Sequence, residues 1–252
     1  MDDLSGKVVL VTGGSRGIGA GIVRGLHAAG AHVILHYSSS REEARAIAAK
    51  LGRERCLVLG ADLDQPAEAV KLWSDSLAWK GRVDVLVNNA ATRPGIAMDA
   101  DPLAWAAVWE RTLRVNLVAT ALLCKAAIPH FKTLGTGIII NITSRPAFRG
   151  DRPDFFHDGA SKGGMVSLTR GIARFYGKDN VLAYLVVPGL IETEQLAEYK
   201  KRYSIAEGLA EIPLGELGTP QDIAEWVVFL STGRARYATG ATIDVGGASY
   251  MH

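Results

Sequence analysis

Cysteine is scarce: Cys56 and Cys124 are the only two in 252 residues, and no CxxC spacing joins them. That excludes a disulfide framework and a cysteine-built zinc site, so no metal and a reducing, cytoplasmic setting are expected. Charge of one sign is lacking too. Lys and Arg number 28 against 26 Asp and Glu, a net +2 that is too small to suggest a nucleic-acid-binding surface. No uninterrupted apolar run approaches the length of a bilayer span. The N-terminal MDDLSGKVVL also lacks a signal peptide's basic start and long apolar core. Neither nucleic acid nor membrane is expected as a partner. Repeats, low-complexity tracts and linkers are missing as well, so residues 1–252 read as one domain.

What is present is alternation. Short β-branched runs at 7–12, 32–37, 56–59, 83–87, 137–142, 181–187 and 241–245 are separated by stretches of helical spacing. Those helices fall at about 17–29, 41–51, 66–80, 102–132, 158–177 and 220–231. Continuously apolar strands alternating with amphipathic helices predict an α/β fold, a parallel sheet of about seven strands covered on both faces. Right-handed crossovers make the sheet doubly wound, with ligands at the carboxyl ends of its strands. The tail after 188 is less regular, and 194–212 has the composition of a helical flap over a substrate.

The first strand runs into TGGSRGIG, 12–19. Gly13, Gly17 and Gly19 suit a tight turn that brings backbone amides and a helix N-terminus against a pyrophosphate. Further segments follow in order: NNAA at 88–91, Asn116 in RVNL, Ser144 in INITS, Lys162 in ASKGG and PGLIET at 188–193. With IPLGELGTPQDIA at 212–224 and the closing TGATIDVGG, the chain resembles the short-chain dehydrogenase/reductase family along essentially its whole length. The resemblance implies a Rossmann-type sheet, a nicotinamide cofactor, a small-molecule substrate, and a homotetramer or homodimer.

By motif match, the cofactor set is Gly13, Ser15, Arg16, Gly17, Ile18 and Gly19 in the loop, with Asp62 and Leu63 beside the adenine. Asn89 and Ala90 fall on the ribose side, and Pro188, Gly189, Ile191 and Thr193 at the nicotinamide end, where Lys162 also grips the ribose. NAD-specific sites commonly place a carboxylate at the end of the second strand. Here Tyr37 stands in that position, followed by Ser38, Ser39 and Arg41, with Arg16 in the loop as a second cation. Arginine suits a 2′-phosphate, so NADP is favoured over NAD.

The family resemblance also implies a tyrosine four residues before the helix lysine, which exchanges a proton with the substrate oxygen. A serine orients that oxygen, the lysine lowers the tyrosine's pKa, and an asparagine holds a proton relay. Ser144, Lys162 and Asn116 match, but the tyrosine position is Asp158, and no tyrosine lies between Ser144 and Lys162. Three readings stand. Asp158 is a helix N-cap paired with Lys162 in an impaired site. Or it is a general base whose pKa the lysine lowers. Or His157, titrating near neutrality, carries the proton from a non-helical start of the helix. Arg93, Arg145 and Arg149 fall in loops expected at the substrate mouth, where they would suit an anionic substrate. The expected function is an NADP-dependent oxidoreductase acting on a small hydroxyl or carbonyl compound. A dinucleotide-binding protein without redox turnover, and a lyase or isomerase using the altered site, are the alternatives.

Overall fold

The computed structural model describes residues 2–194, 196 and 203–251. Seven strands form one parallel sheet: β1 (Val8–Val11), β2 (His32–Tyr37), β3 (Cys56–Gly60), β4 (Val85–Asn88), β5 (Gly137–Ile142), β6 (Val181–Pro188) and β7 (Thr242–Val245). Their order is β3-β2-β1-β4-β5-β6-β7, and every pairing is parallel. The order reverses between β1 and β4, which opens a crevice at the carboxyl edge.

Alternate side chains feed two cores. Val9, Val11, Val33, Leu35, Val85 and Val87 pack with Ile22 and Leu26 of α1 (Gly17–Ala28), and with Ile223 and Val227 of a late helix (Pro220–Ser231). Leu10, Ile34, Leu86 and Ile139 pack on the other face against Leu72 and Trp73 of α3 (Pro66–Lys80). Between α1 and α3, α2 (Arg41–Leu51) places Ala44 and Ile47 in the first core.

After β4, α4 (Pro102–Leu113) passes through one π-turn, Arg114–Val118, into α5 (Ala119–Leu134). The helical run from Pro102 to Leu134, 33 residues, is long enough to cross a bilayer and contains a stretch apolar enough to do so by length and composition alone. That modifies the expectation that no segment approaches such a length. In this fold Leu123, Ala127 and Phe131 of that run are buried in the second core. A short helix, α6 (Pro146–Arg149), and a 3-10 turn, Pro153–Phe155, lead into α7 (Phe156–Tyr176). In the expected flap, α8 (Ile205–Ala210) is helical, and residues 195 and 197–202 lie outside the described residues. The late helix, α9, starts with a capping box in which Thr219 and Asp222 bond each other's backbone N–H.

Candidate active site

The carboxyl ends of β1, β2, β4, β5 and β6 enclose a cleft of ≈ 430 Å³, within the usual size of a small-molecule site. A larger hollow, ≈ 500 Å³, lies between α1 and α2 and contains none of Ser144, Asp158 or Lys162. The chemistry therefore belongs to the smaller one.

The loop between β1 and α1 is built for close approach. Gly13 (φ +64°) and Gly17 (φ +52°) take the left-handed conformation that glycine tolerates. A Cβ on Gly19 would lie 2.0 Å from the Gly13 carbonyl oxygen. Arg16 caps α1 without a side-chain acceptor, which leaves first-turn amides for an anion. Thr12 Oγ1 accepts from the N–H groups of Asn89 (2.9 Å) and Ala90 (3.1 Å). Asn89 Nδ2 returns bonds to the carbonyls of Thr12 and Gly13, both at 3.0 Å. These bonds lock the end of β4 to the phosphate loop. The residues present fit a dinucleotide.

Most of the expected cofactor residues line this cleft: Gly13, Ser15, Arg16, Gly17, Ile18 and Gly19, then Ser38 and Ser39, Asp62 and Leu63, Asn89 and Ala90, Lys162, and Pro188, Gly189, Ile191 and Thr193. Two do not. Tyr37 is buried, and its hydroxyl accepts a 2.9 Å bond from Arg41 Nε, so both side chains are turned to each other beside the cleft. The β2 pleat explains the correction: His36 points to the cleft and its neighbour Tyr37 into the core. Sequence reasoning passed over His36, whose position inside an apolar strand gave no sign of a polar role.

At the catalytic end, Ser144, Asp158 and Lys162 line the same cleft as the glycine loop. Asn116 is fully buried on the π-turn, a feature that often marks functional sites. Its Oδ1 accepts from Thr92 N–H (2.8 Å), while Nδ2 lies within bonding distance of Thr92 O (3.1 Å), Asp158 Oδ1 (3.2 Å) and Ser161 Oγ (3.0 Å). Lys162 Nζ donates to the Ile142 carbonyl at 2.8 Å.

Asp158 departs from the expectations on two counts. The N-cap of α7 is Phe155, so Asp158 is a first-turn residue, not a cap. Its close ion pair is with Arg93 (Nε to Oδ2, 2.9 Å), whereas Lys162 acts on it as a nearby charge. Burial also reverses the expected pKa. Desolvation raises the Asp158 carboxyl above its ordinary value and outweighs the lowering by Lys162 and Arg93. Burial likewise lowers the pKa of Lys162 against the pull of Asp158.

His157 is not at the mouth. Because α7 begins at Phe156, His157 is helical and turned well away from Asp158. Its fully buried ring packs edge-on against Trp109 (6.1 Å between centroids) and Phe155 (6.5 Å). Neither ring nitrogen has a hydrogen-bond partner among the described residues. The expected non-helical start, from which His157 would carry the proton, is set aside by this placement.

The three arginines do not converge. Arg93 lines the cleft, where Nη2 bonds both Asp151 oxygens at 3.0 Å and the guanidinium stacks 3.6 Å over the Phe155 ring. Arg145 and Arg149 instead pair with Glu211 at 3.6 and 3.1 Å and do not line the cleft. Asp151 and Glu211 are distant in sequence from their partners, so nothing local announced these pairs.

Residues 13–248 match the family described as "Enoyl-(Acyl carrier protein) reductase". The 3-oxoacyl-[acyl-carrier-protein] reductase FabG of Aquifex aeolicus is 33% identical over 98% of both chains. Human dehydrogenase/reductase SDR family member 4 is also 33% identical, over 98% of this chain and 89% of that one. Among solved structures, a putative NAD(P)-dependent gluconate 5-dehydrogenase from Beutenbergia cavernae, with bound NADP at low occupancy, superposes with TM-score 0.89. Its identity is 32%, over 98% of both chains. A blue fluorescent protein from a metagenomic library, in complex with NADPH, gives the same TM-score at 36% identity, over 99% of this chain and 100% of that one. With the sheet order, the glycine loop and full-length identity in agreement, the chain belongs to the short-chain dehydrogenase/reductase family of oxidoreductases.

Proposed function

We propose that this chain is an NADP-dependent oxidoreductase acting on a small hydroxyl or carbonyl compound, with Asp158 exchanging the proton. One observation carries the reading: Ser144, Asp158 and Lys162 line the same cleft as the glycine loop and the 188–193 segment. When bound, the nicotinamide supplies or accepts the hydride. Ser144 orients the substrate oxygen, and Lys162 holds a positive charge at the ribose end. Asp158 accepts the proton in alcohol oxidation or returns it in carbonyl reduction, and its raised pKa makes the protonated form more accessible than in a solvated aspartate. The proposal takes 1–252 as one catalytic domain.

A second reading, dinucleotide binding without turnover, draws on the engagement of both Asp158 oxygens, one near Asn116 and the other bonded to Arg93. Absorbance at 340 nm with alcohol and carbonyl panels separates the two.

Support for NADP comes from the NADP- and NADPH-bound neighbours, from Ser38, Ser39 and Ser40 lining the cleft after β2, and from Arg16 of the glycine loop, which lines the same cleft. NADPH is expected to bind at least several-fold tighter than NADH. Arg16→Ala should narrow that gap more than Arg41→Ala, because Arg41 is engaged by Tyr37. Equal affinities of the wild type for the two in a titration would reject the assignment.

An anionic substrate group would be met by Arg93, whose Nη1 has no protein partner among the described residues. Losing a charge-assisted hydrogen bond costs roughly 1.5–3 kcal/mol, about 10- to 100-fold in affinity. Arg93→Gln should therefore raise KM for an acidic substrate by that factor relative to a neutral analogue. Equal effects on both would confine Arg93 to holding Asp158 and Asp151.

A further inference from the structure

His36 is a buried titratable side chain in the cleft that the proposed chemistry leaves unused. Its Nδ1 accepts the Gly13 N–H at 3.1 Å, and its Nε2 lies 3.0 Å from the Ala61 carbonyl. A ring nitrogen that accepts an amide proton is bare, and one that faces a carbonyl must donate. The neutral Nε2–H tautomer alone satisfies both contacts. Burial drives the pKa down to about 4, against the opposing effects of the Ala61 bond and the Glu68 charge on α3. The ring is therefore neutral throughout the physiological range.

The position matters because of what the two partners carry. Gly13 opens the phosphate loop, and Ala61 leads directly into Asp62 and Leu63, which line the same cleft. One imidazole on β2 thus ties the ends of β1 and β3 together. The His36 main chain adds a third bond, its carbonyl accepting from Gly14 N–H at 2.8 Å.

We propose that His36 is a positioning residue for the dinucleotide: as the Nε2–H tautomer it fixes the separation of the phosphate loop from the adenine wall. The inference rests on the cofactor reading above. It assigns to His36 the affinity for the pyrophosphate and adenine half of the ligand, not the hydride step.

Calorimetric titration with NADPH of the wild type, His36→Asn and His36→Phe tests this. Asparagine offers an acceptor to Gly13 and drops the Ala61 bond, whereas phenylalanine leaves both backbone groups unpaired. Kd is expected to rise about 10-fold or more in His36→Phe, with a smaller rise in His36→Asn. Long-range ¹H–¹⁵N spectra of the wild type should show a bare Nδ1 and a protonated Nε2 at pH 7. That measurement and His36→Asn carry the test if His36→Phe does not fold. An Nδ1–H tautomer, or variants that bind NADPH as the wild type does, would overturn the inference while leaving the cofactor reading intact. A wild type that binds no NADPH would overturn the cofactor reading, and this inference with it.

Discussion

Asp158→Asn is expected to lower turnover by about 10²-fold or more, the usual contribution of a positioned proton-transfer group, while leaving NADPH affinity nearly unchanged. The amide fills the same space and keeps one acceptor oxygen, which can meet Arg93 or Asn116 but not both, and it cannot take a proton. Steady-state rates with a direct binding titration check both halves. The pH dependence supplies a sign. Alcohol oxidation needs the carboxylate, so its rate should rise with pH through a midpoint above the ordinary aspartate value of 3.8. Carbonyl reduction needs the protonated acid and should fall through the same midpoint. Asp158→Tyr places a longer acid beside Lys162 and should create or enhance NADPH-dependent reduction of reactive generic carbonyls. If Asp158→Asn turns over as the wild type does while Ser144→Ala is inactive, the proton travels by another route.

Gly19→Ala should abolish measurable cofactor binding. Its Cβ would lie 2.0 Å from Gly13 O and 2.6 Å from Asn89 Nδ2, atoms of the phosphate loop and of the side chain that locks it to β4. Backbone cannot yield as the tip of a flexible side chain can, so the loop itself must move. Overpacking of this kind costs typically 1–3 kcal/mol, and the displaced amides no longer meet the pyrophosphate. Gly171→Ala is the control: its Cβ meets nothing within 4 Å on α7, and removing a helical glycine should stabilise the fold by roughly 0.5–1 kcal/mol. Thermal melts with NADPH titration of the two variants distinguish loop displacement from a general loss of stability.

The sheet was legible because its strands are short, continuously apolar and separated by helical spacing, a pattern few other architectures share. The glycine loop was legible because the backbone itself is the ligand-binding element. What escaped depends on burial and distant partners. Lysine at i+4 suggested a lowered Asp158 pKa, but desolvation raises it, and depth is not written in local spacing. His157 looked available because α7 was expected to start at 158; it starts at Phe156, and two residues of extra helix send the imidazole into an apolar pocket. Arg145 and Arg149 looked free because Glu211 lies 62 residues beyond Arg149. The role of His36 was hidden for the same reason, its partners being on two other strand ends.

The central claim is that hydride moves in this cleft with Asp158 exchanging the proton. The most direct test incubates the wild type and Asp158→Asn with NADPH deuterated at C4 and a carbonyl panel, following 340 nm absorbance and product mass together. The account predicts that the wild type consumes NADPH and yields an alcohol carrying one deuterium, at a rate at least about 10²-fold above Asp158→Asn. Tight NADPH binding with no loss of absorbance and no deuterated product from any carbonyl would contradict it and leave a dinucleotide-binding protein without turnover.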